Sequence, residues 1–226
     1  MNRRPQPGDD TLTEAGLPAS GRGRVLVIGC GALAREILAV LEANRLDHVD
    51  LTCLPAILHN RPGRIAGAVR AAVERHRARY ESIHLAYADC GTGGALAALC
   101  RELGIDMISG PHCYSFLEGN AAFAARAEDE FDAFYLTDFL ARQFDAFVWR
   151  PLGLDRHPEL RDSYFGNYRR LIHLAQSDDP ALDARARDCA TRLGLEYERR
   201  RTGYGDLESA LTRWGATAGQ ANGGHG

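Results

Sequence analysis

The sequence predicts an α/β fold: an open, mostly parallel sheet with helices on both faces, in a Rossmann-like three-layer arrangement. Three observations predict it. Short apolar runs rich in Val, Ile and Leu recur along the chain. Between them lie segments whose apolar residues fall at helical spacing. Several runs stop at a glycine-rich or polar turn, where a strand gives way to a helix.

The elements follow in order. Arg24 to Ile28 reads as a buried strand, and Ala32 to Leu46 as a helix with Leu33, Ile37, Val40 and Leu41 on one face. Val49 to Leu54 is a second strand, stopped by Pro55. A helix begins at Pro62, which suits a first turn, and carries Ile65, Val69, Ala72 and Val73. Ser82 to Tyr87 is the third strand, and Gly94 to Leu103 a helix closed by Gly104. Ile105 to Ser109 is the fourth strand, followed by a helix around Ser115 to Arg126. Phe134 to Leu136 is a short strand or a loop, and Asp138 to Phe147 is helical. Arg170 to Leu174, Ala181 to Leu193 and Leu195 to Glu198 give strand, helix and strand, with Gly194 as the stop. A helix over Leu207 to Trp214 follows.

Neither end shows an apolar period. Tails without structure are expected over residues 1–22 and 215–226, around a single α/β domain over 23–214. The 226 residues are 45% hydrophobic and 25% charged, enough for a sizeable core. The net charge is -3, and the 27 basic residues are all arginine. Arg199-Arg200-Arg201 is the one dense basic run, without an interleaved aromatic or groove-reading motif, so no nucleic-acid partner is expected. No apolar stretch of about 18 to 20 residues is present and no secretory leader, so no membrane partner is expected either. Six cysteines in such a chain point to the reducing cytoplasm, where grouped cysteines bind metals or catalyse more often than they pair.

Three of those cysteines sit where an apolar run meets a turn: Cys30 in Gly29-Cys30-Gly31, Cys90 in Asp89-Cys90-Gly91-Thr92-Gly93-Gly94, and Cys113 in Pro111-His112-Cys113. The carboxyl ends of strands in an open α/β sheet line one crevice, where ligands bind. Three thiols delivered there can hold a metal, and Cys30, Cys90 and Cys113 are the candidate ligands. The glycine-rich turn around Gly91, Thr92 and Gly93 opens a helix, whose free N–H groups and dipole favour an anion or a thiolate. His112 and Asp89 are the candidate proton-transfer residues. Cys53, at a strand end near His59-Asn60, can border the site. Cys100 and Cys189, inside helices, read as core.

Gly29-Cys30-Gly31-Ala32-Leu33-Ala34 also fits the dinucleotide fingerprint, which makes Gly29 and Gly31 candidate cofactor contacts. The acid that should end the second strand is missing: that strand ends Thr52-Cys53-Leu54-Pro55. Thr137-Asp138 and Gln176 to Asp179 are polar clusters after apolar runs. Thr137 is a further candidate cofactor contact, while helix capping is the plainer account of Asp138 and Asp179.

Taken together, Gly29-Cys30-Gly31, Leu58-His59-Asn60-Arg61-Pro62, Tyr87-Ala88-Asp89-Cys90-Gly91, His112-Cys113-Tyr114 with Leu117-Glu118-Gly119, and Phe134 to Thr137 resemble the pattern of a widespread bacterial and archaeal family labelled only as a domain of unknown function. The resemblance runs from Val25 to Leu211. Many members have glycine in place of Ala88 and an aspartate between the histidine and cysteine of the third motif, so a role for that aspartate has no counterpart here. The resemblance implies an α/β fold and an intracellular setting. Genes of the family often lie near corrinoid-dependent methyltransferases, which implies one-carbon or methylamine metabolism.

Four readings follow. The first is a zinc site or iron–sulfur cluster on Cys30, Cys90 and Cys113 with one open position for a small-molecule substrate. The second is a non-catalytic accessory protein that binds a corrinoid or methylated amine and serves a corrinoid protein or methyltransferase. No Asp-x-His-x-x-Gly motif is present for corrinoid ligation. The third is a nicotinamide-dependent enzyme. The fourth is a disulfide pair or redox relay, without the C-x-x-C signature.

Overall fold

The computed structural model describes residues 7–220. In chain order these form α1 (Asp9–Glu14), β1 (Val25–Cys30), α2 (Ala34–Ala43), β2 (Val49–Leu54), α3 (Ile65–His76), β3 (Ser82–Ala86), α4 (Ala95–Leu103), β4 (Asp106–Met107), α5 (Cys113–Glu118), α6 (Asn120–Ala125), β5 (Ala133–Thr137), α7 (Asp138–Arg142), α8 (Arg161–Phe165), β6 (Arg170–Ala175), α9 (Pro180–Leu193), β7 (Glu196–Arg201) and α10 (Gly205–Gln220). The α/β class with parallel sheets and surrounding helices is as the sequence predicts. The strands form two sheets, and the chain divides into two compact units. Unit 1 runs to Phe116 and resumes at Tyr204; unit 2 is Leu117–Gly203.

Unit 1 holds a four-stranded parallel sheet in the order β2-β1-β3-β4. β1 is central and buried at all six positions, which is why it reads as an unbroken apolar run. Each buried Val, Leu or Ile there contributes about 1.5–3 kcal/mol. The strand order reverses direction at β1. Right-handed crossovers then place α2 on one face and α3 on the other. α10 packs on α2 and on the α2 face, and α3 packs on α4. β1 and β3 flank the switch point, so their carboxyl ends open the crevice where such sheets bind ligands.

Unit 2 holds the three-stranded parallel sheet β5-β6-β7. Its crossovers run in one direction, and α7 packs on α9. α9 begins with Asp179 accepting from the Ala181 N–H at 2.8 Å, with Pro180 in its first turn, and ends at Gly194 in the left-handed region.

Several boundaries differ from the sequence reading. The helix expected around residues 115–126 is two helices, broken at Gly119, where φ is 99°. The helix expected to Phe147 stops at Arg142 and is followed by a π turn, Asp145–Trp149. Phe134 to Leu136 belongs to a true strand, β5. The tails expected over 1–22 and 215–226 fall partly on residues 1–6 and 221–226, outside the described residues. The rest is structured: Leu12 of α1 is fully buried, Leu17 pairs with Cys53 through both backbone groups, and α10 continues through residues 215–220. A tail with two apolar anchors and no period gives a sequence reader nothing to detect. Among the described residues no helix is long and apolar enough to cross a membrane.

Candidate functional site

The carboxyl ends of β1 and β3, and the loop after β4, bring the three turn cysteines into one region of unit 1. Cys30 is the last residue of β1. Cys90 sits in the loop after β3, and Cys113 opens α5. The loops carrying the last two are joined by their backbones: the Asp89 N–H donates to Gly110 O at 3.0 Å and the Cys90 N–H to Pro111 O at 3.1 Å. The Cys90 and Cys113 sulfurs are 3.1 Å apart. Cys30 is close enough to both that its charge bears on theirs.

Two residues join this group that the sequence reading left at its margin or missed. Cys53, at the end of β2, is buried beside Cys30. Tyr87 follows β3, is 2% exposed, and its hydroxyl is buried without a hydrogen bond of proper geometry, with the Cys30 thiol as its polar neighbour. A buried hydroxyl left in that state costs about 1–3 kcal/mol. Its family-motif position was visible in Tyr87-Ala88-Asp89-Cys90, but tyrosine at a strand end reads as packing.

The thiols differ in their proton affinity. Burial pushes Cys30 up to about 12 and Cys53 well above the ordinary thiol range. The Cys113 S–H beside Cys90 holds the Cys90 thiol low, with help from backbone N–H groups and against its burial. Cys113 is driven up by the same contact and by burial. Of the two facing thiols, Cys90 is thus the more acidic and Cys113 the less. Among the described residues no three or more His, Cys, Asp or Glu side chains already stand at metal-ligating spacing.

The glycine-rich turns do other work than cradling a phosphate. A Cβ on Gly31 would meet Leu12 O at 2.2 Å, and one on Gly29 would meet Ile37 Cδ1 at 2.8 Å. These glycines let α1 and α2 close on β1. At the start of α4, the Asp89 carboxylate accepts from the Gly94 N–H at 2.7 Å, the Gly93 N–H at 3.1 Å and the Thr92 hydroxyl at 2.8 Å. Asp89 thus fills the anion position that Gly91, Thr92 and Gly93 would otherwise offer, and those bonds lower its pKa. Its carboxylate is thereby held by the loop it closes. Cys90 lies in this loop at φ 49°, between Asp89 and Gly91 at 77°.

His112 is exposed and stacks on Tyr114 at 4.8 Å. Partial burial lowers its pKa, opposed by Asp89, so it is neutral near pH 7 and fit to accept a proton. Cys100 and Cys189 are buried in α4 and α9, as expected, with burial raising them to about 11 and about 12.

Thr137 belongs to unit 2. It caps α7, accepting from the Leu140 N–H at 3.3 Å. The cap is Thr137 and not Asp138, which is buried instead. Asp138 Oδ1 meets His173 Nε2 at 2.9 Å, and its Oδ2 accepts from the Ser177 hydroxyl at 2.6 Å and the Ser177 N–H at 2.9 Å. Ser, His and Asp are all present, but the carboxylate stands between the other two. A nucleophilic serine needs the imidazole next to it, so this is a bonded core network.

The family described as Protein of unknown function (DUF1638) matches residues 53–211. The chain belongs to this family. The match takes in the motifs around Cys90, Cys113 and Thr137, while Cys30 lies ahead of it. No curated protein and no solved structure matches the chain.

Proposed function

We propose that this DUF1638 member binds a thiophilic metal centre, zinc or an iron–sulfur cluster, on Cys30, Cys90 and Cys113 of unit 1. The observation that carries the reading is the 3.1 Å contact between the Cys90 and Cys113 sulfurs, with Cys30 within electrostatic range of both. Two features support it. The donor set is soft and grouped at a topological switch point. The buried Tyr87 hydroxyl lacks a partner that an anionic sulfur would supply. Bringing Cys30 in to complete the set is a side-chain adjustment that metal binding itself drives, since binding displaces the thiol protons.

Such a centre supplies Lewis-acid activation of a small substrate's oxygen or nitrogen at an open position. Around it, Tyr87 donates to a ligating sulfur, Asp89 fixes the loop that presents Cys90, and neutral His112 accepts a proton at the exposed side. A reducing cytoplasm is the compartment that suits the thiol state such a centre requires.

The test is metal and acid-labile sulfide analysis, with a visible spectrum, on protein purified without oxygen. Stoichiometric metal is expected in the native protein, in Cys100→Ala and in Cys189→Ala. Cys30→Ala, Cys90→Ala and Cys113→Ala should each lose it. Metal kept by all three of those variants sinks the reading.

A further inference from the structure

We propose that Cys90 and Cys113 are a dithiol couple that exchanges with low-molecular-weight disulfides and closes to an intramolecular disulfide. Their sulfurs stand 3.1 Å apart, about 1 Å beyond a covalent S–S bond. The backbones beneath them are already tied at Asp89–Gly110 and Cys90–Pro111, so closure starts from two loops held together. Cys90 adopts a left-handed φ of 49°, a conformation unfavourable for a side chain with a Cβ. Backbone strain of this kind collects at functional positions. Here it accompanies a thiol set against its partner sulfur.

Access separates Cys113 from the other thiols. Cys113 is half-buried, whereas Cys30, Cys53, Cys90, Cys100 and Cys189 are buried. An external disulfide RSSR therefore reaches Cys113 first, where the deprotonated fraction of that thiol attacks it. The Cys113 sulfur bonds to one RS group, and the other leaves as RSH with the Cys113 proton. Cys90 sulfur then attacks Cys113 sulfur. The bond to RS breaks, and the second RSH leaves with the Cys90 proton. The two cysteines lose two electrons and two protons, and RSSR gains both.

The disulfide stands independently of the metal reading. Its consequence, withdrawal of two of three thiolate ligands and release of metal, rests on that reading.

The experiment uses the full chain, reduced and freed of metal, incubated with oxidised glutathione. Remaining thiols are alkylated and the peptides mapped without reduction. A Cys90–Cys113 cross-link is expected, with the other four cysteines alkylated. In Cys90→Ser, glutathione should stay on Cys113 as a mixed disulfide. Glutathione retained on Cys113 in the native protein without a cross-link overturns the proposal. So does a Cys30–Cys53 cross-link, or six free thiols at an oxidising ratio. Zinc is then titrated into both forms, and affinity should fall at least 100-fold on oxidation. Equal zinc affinity overturns the release step, and no zinc binding to the reduced form removes the metal reading while the cross-link still stands.

Discussion

Gly31 lets the Leu12 backbone approach closer than any side chain would allow: a Cβ on Gly31 would stand 2.2 Å from the Leu12 carbonyl oxygen and 3.1 Å from Ala56 N. Neither obstacle is a flexible side-chain end. Gly31→Ala should therefore destabilise the protein by about 1–3 kcal/mol, read as a lowered denaturant midpoint. Gly63→Ala, where a Cβ meets nothing within 4 Å, is the control and should be near neutral.

Tyr87→Phe removes a buried hydroxyl that has no well-formed hydrogen bond. In metal-free protein the change should be neutral or stabilising by up to about 1 kcal/mol, because nothing but a desolvation cost is lost. In metal-loaded protein it should weaken affinity by about 10- to 100-fold, as loss of a ligand's hydrogen-bond partner does. Thermal melts and metal titration on the same variant separate the two effects.

Asp138 gives a pH prediction. Burial raises its pKa, but the bonds from His173 and Ser177 outweigh this and leave it below the ordinary carboxylate value. A group with a depressed folded pKa stabilises the protein above its unfolded pKa, near 3.9, and that contribution is lost as pH falls through the folded value. Asp138→Asn should thus lower stability near pH 7 and flatten the acid limb below about pH 4, measured by urea unfolding across pH.

Arg200 tests the ion network of unit 2. It meets Glu130 at 2.6 Å, Glu198 at 2.8 Å and Glu118 at 2.9 Å. The Glu118 and Glu130 side chains are only 4% and 7% exposed. Arg200→Met leaves Glu118 with Arg126 alone and Glu130 with the Tyr135 hydroxyl alone, and should cost about 3 kcal/mol. Arg161→Met, removing a more exposed pair with Asp162, should cost less than about 1 kcal/mol.

These residues also mark what a sequence reader can and cannot see. The strands β1, β2 and β3 and the helix ends at Gly104 and Gly194 were legible, because continuous apolar runs and glycine stops act locally. The placement of Cys30, Cys90 and Cys113 at turns was legible for the same reason. The role of Asp89 was not: its identity suits a catalytic acid, and only the loop geometry shows it bonded to Gly93 and Gly94. Nor was the run Arg199 to Arg201, which reads as a solvated patch. In β7 it pairs with Asp178, Asp183, Glu118, Glu130 and Glu198. Four of those five carboxylates lie at least 15 residues away in sequence, so no local pattern announces them.

Unit 1 is assembled from two stretches of chain, with α10 laid over β1, β3 and α2. Unit 2 is a single stretch that falls between them in sequence. On the ribosome, unit 2 can fold as soon as its last strand emerges, while unit 1 waits for α10 to cover its sheet. During that interval His84, which stacks on Trp214 at 4.8 Å, and the central strand have no lid. A nascent chain stalled before α10 would therefore present an open unit 1 sheet to chaperones and proteases while unit 2 is already folded.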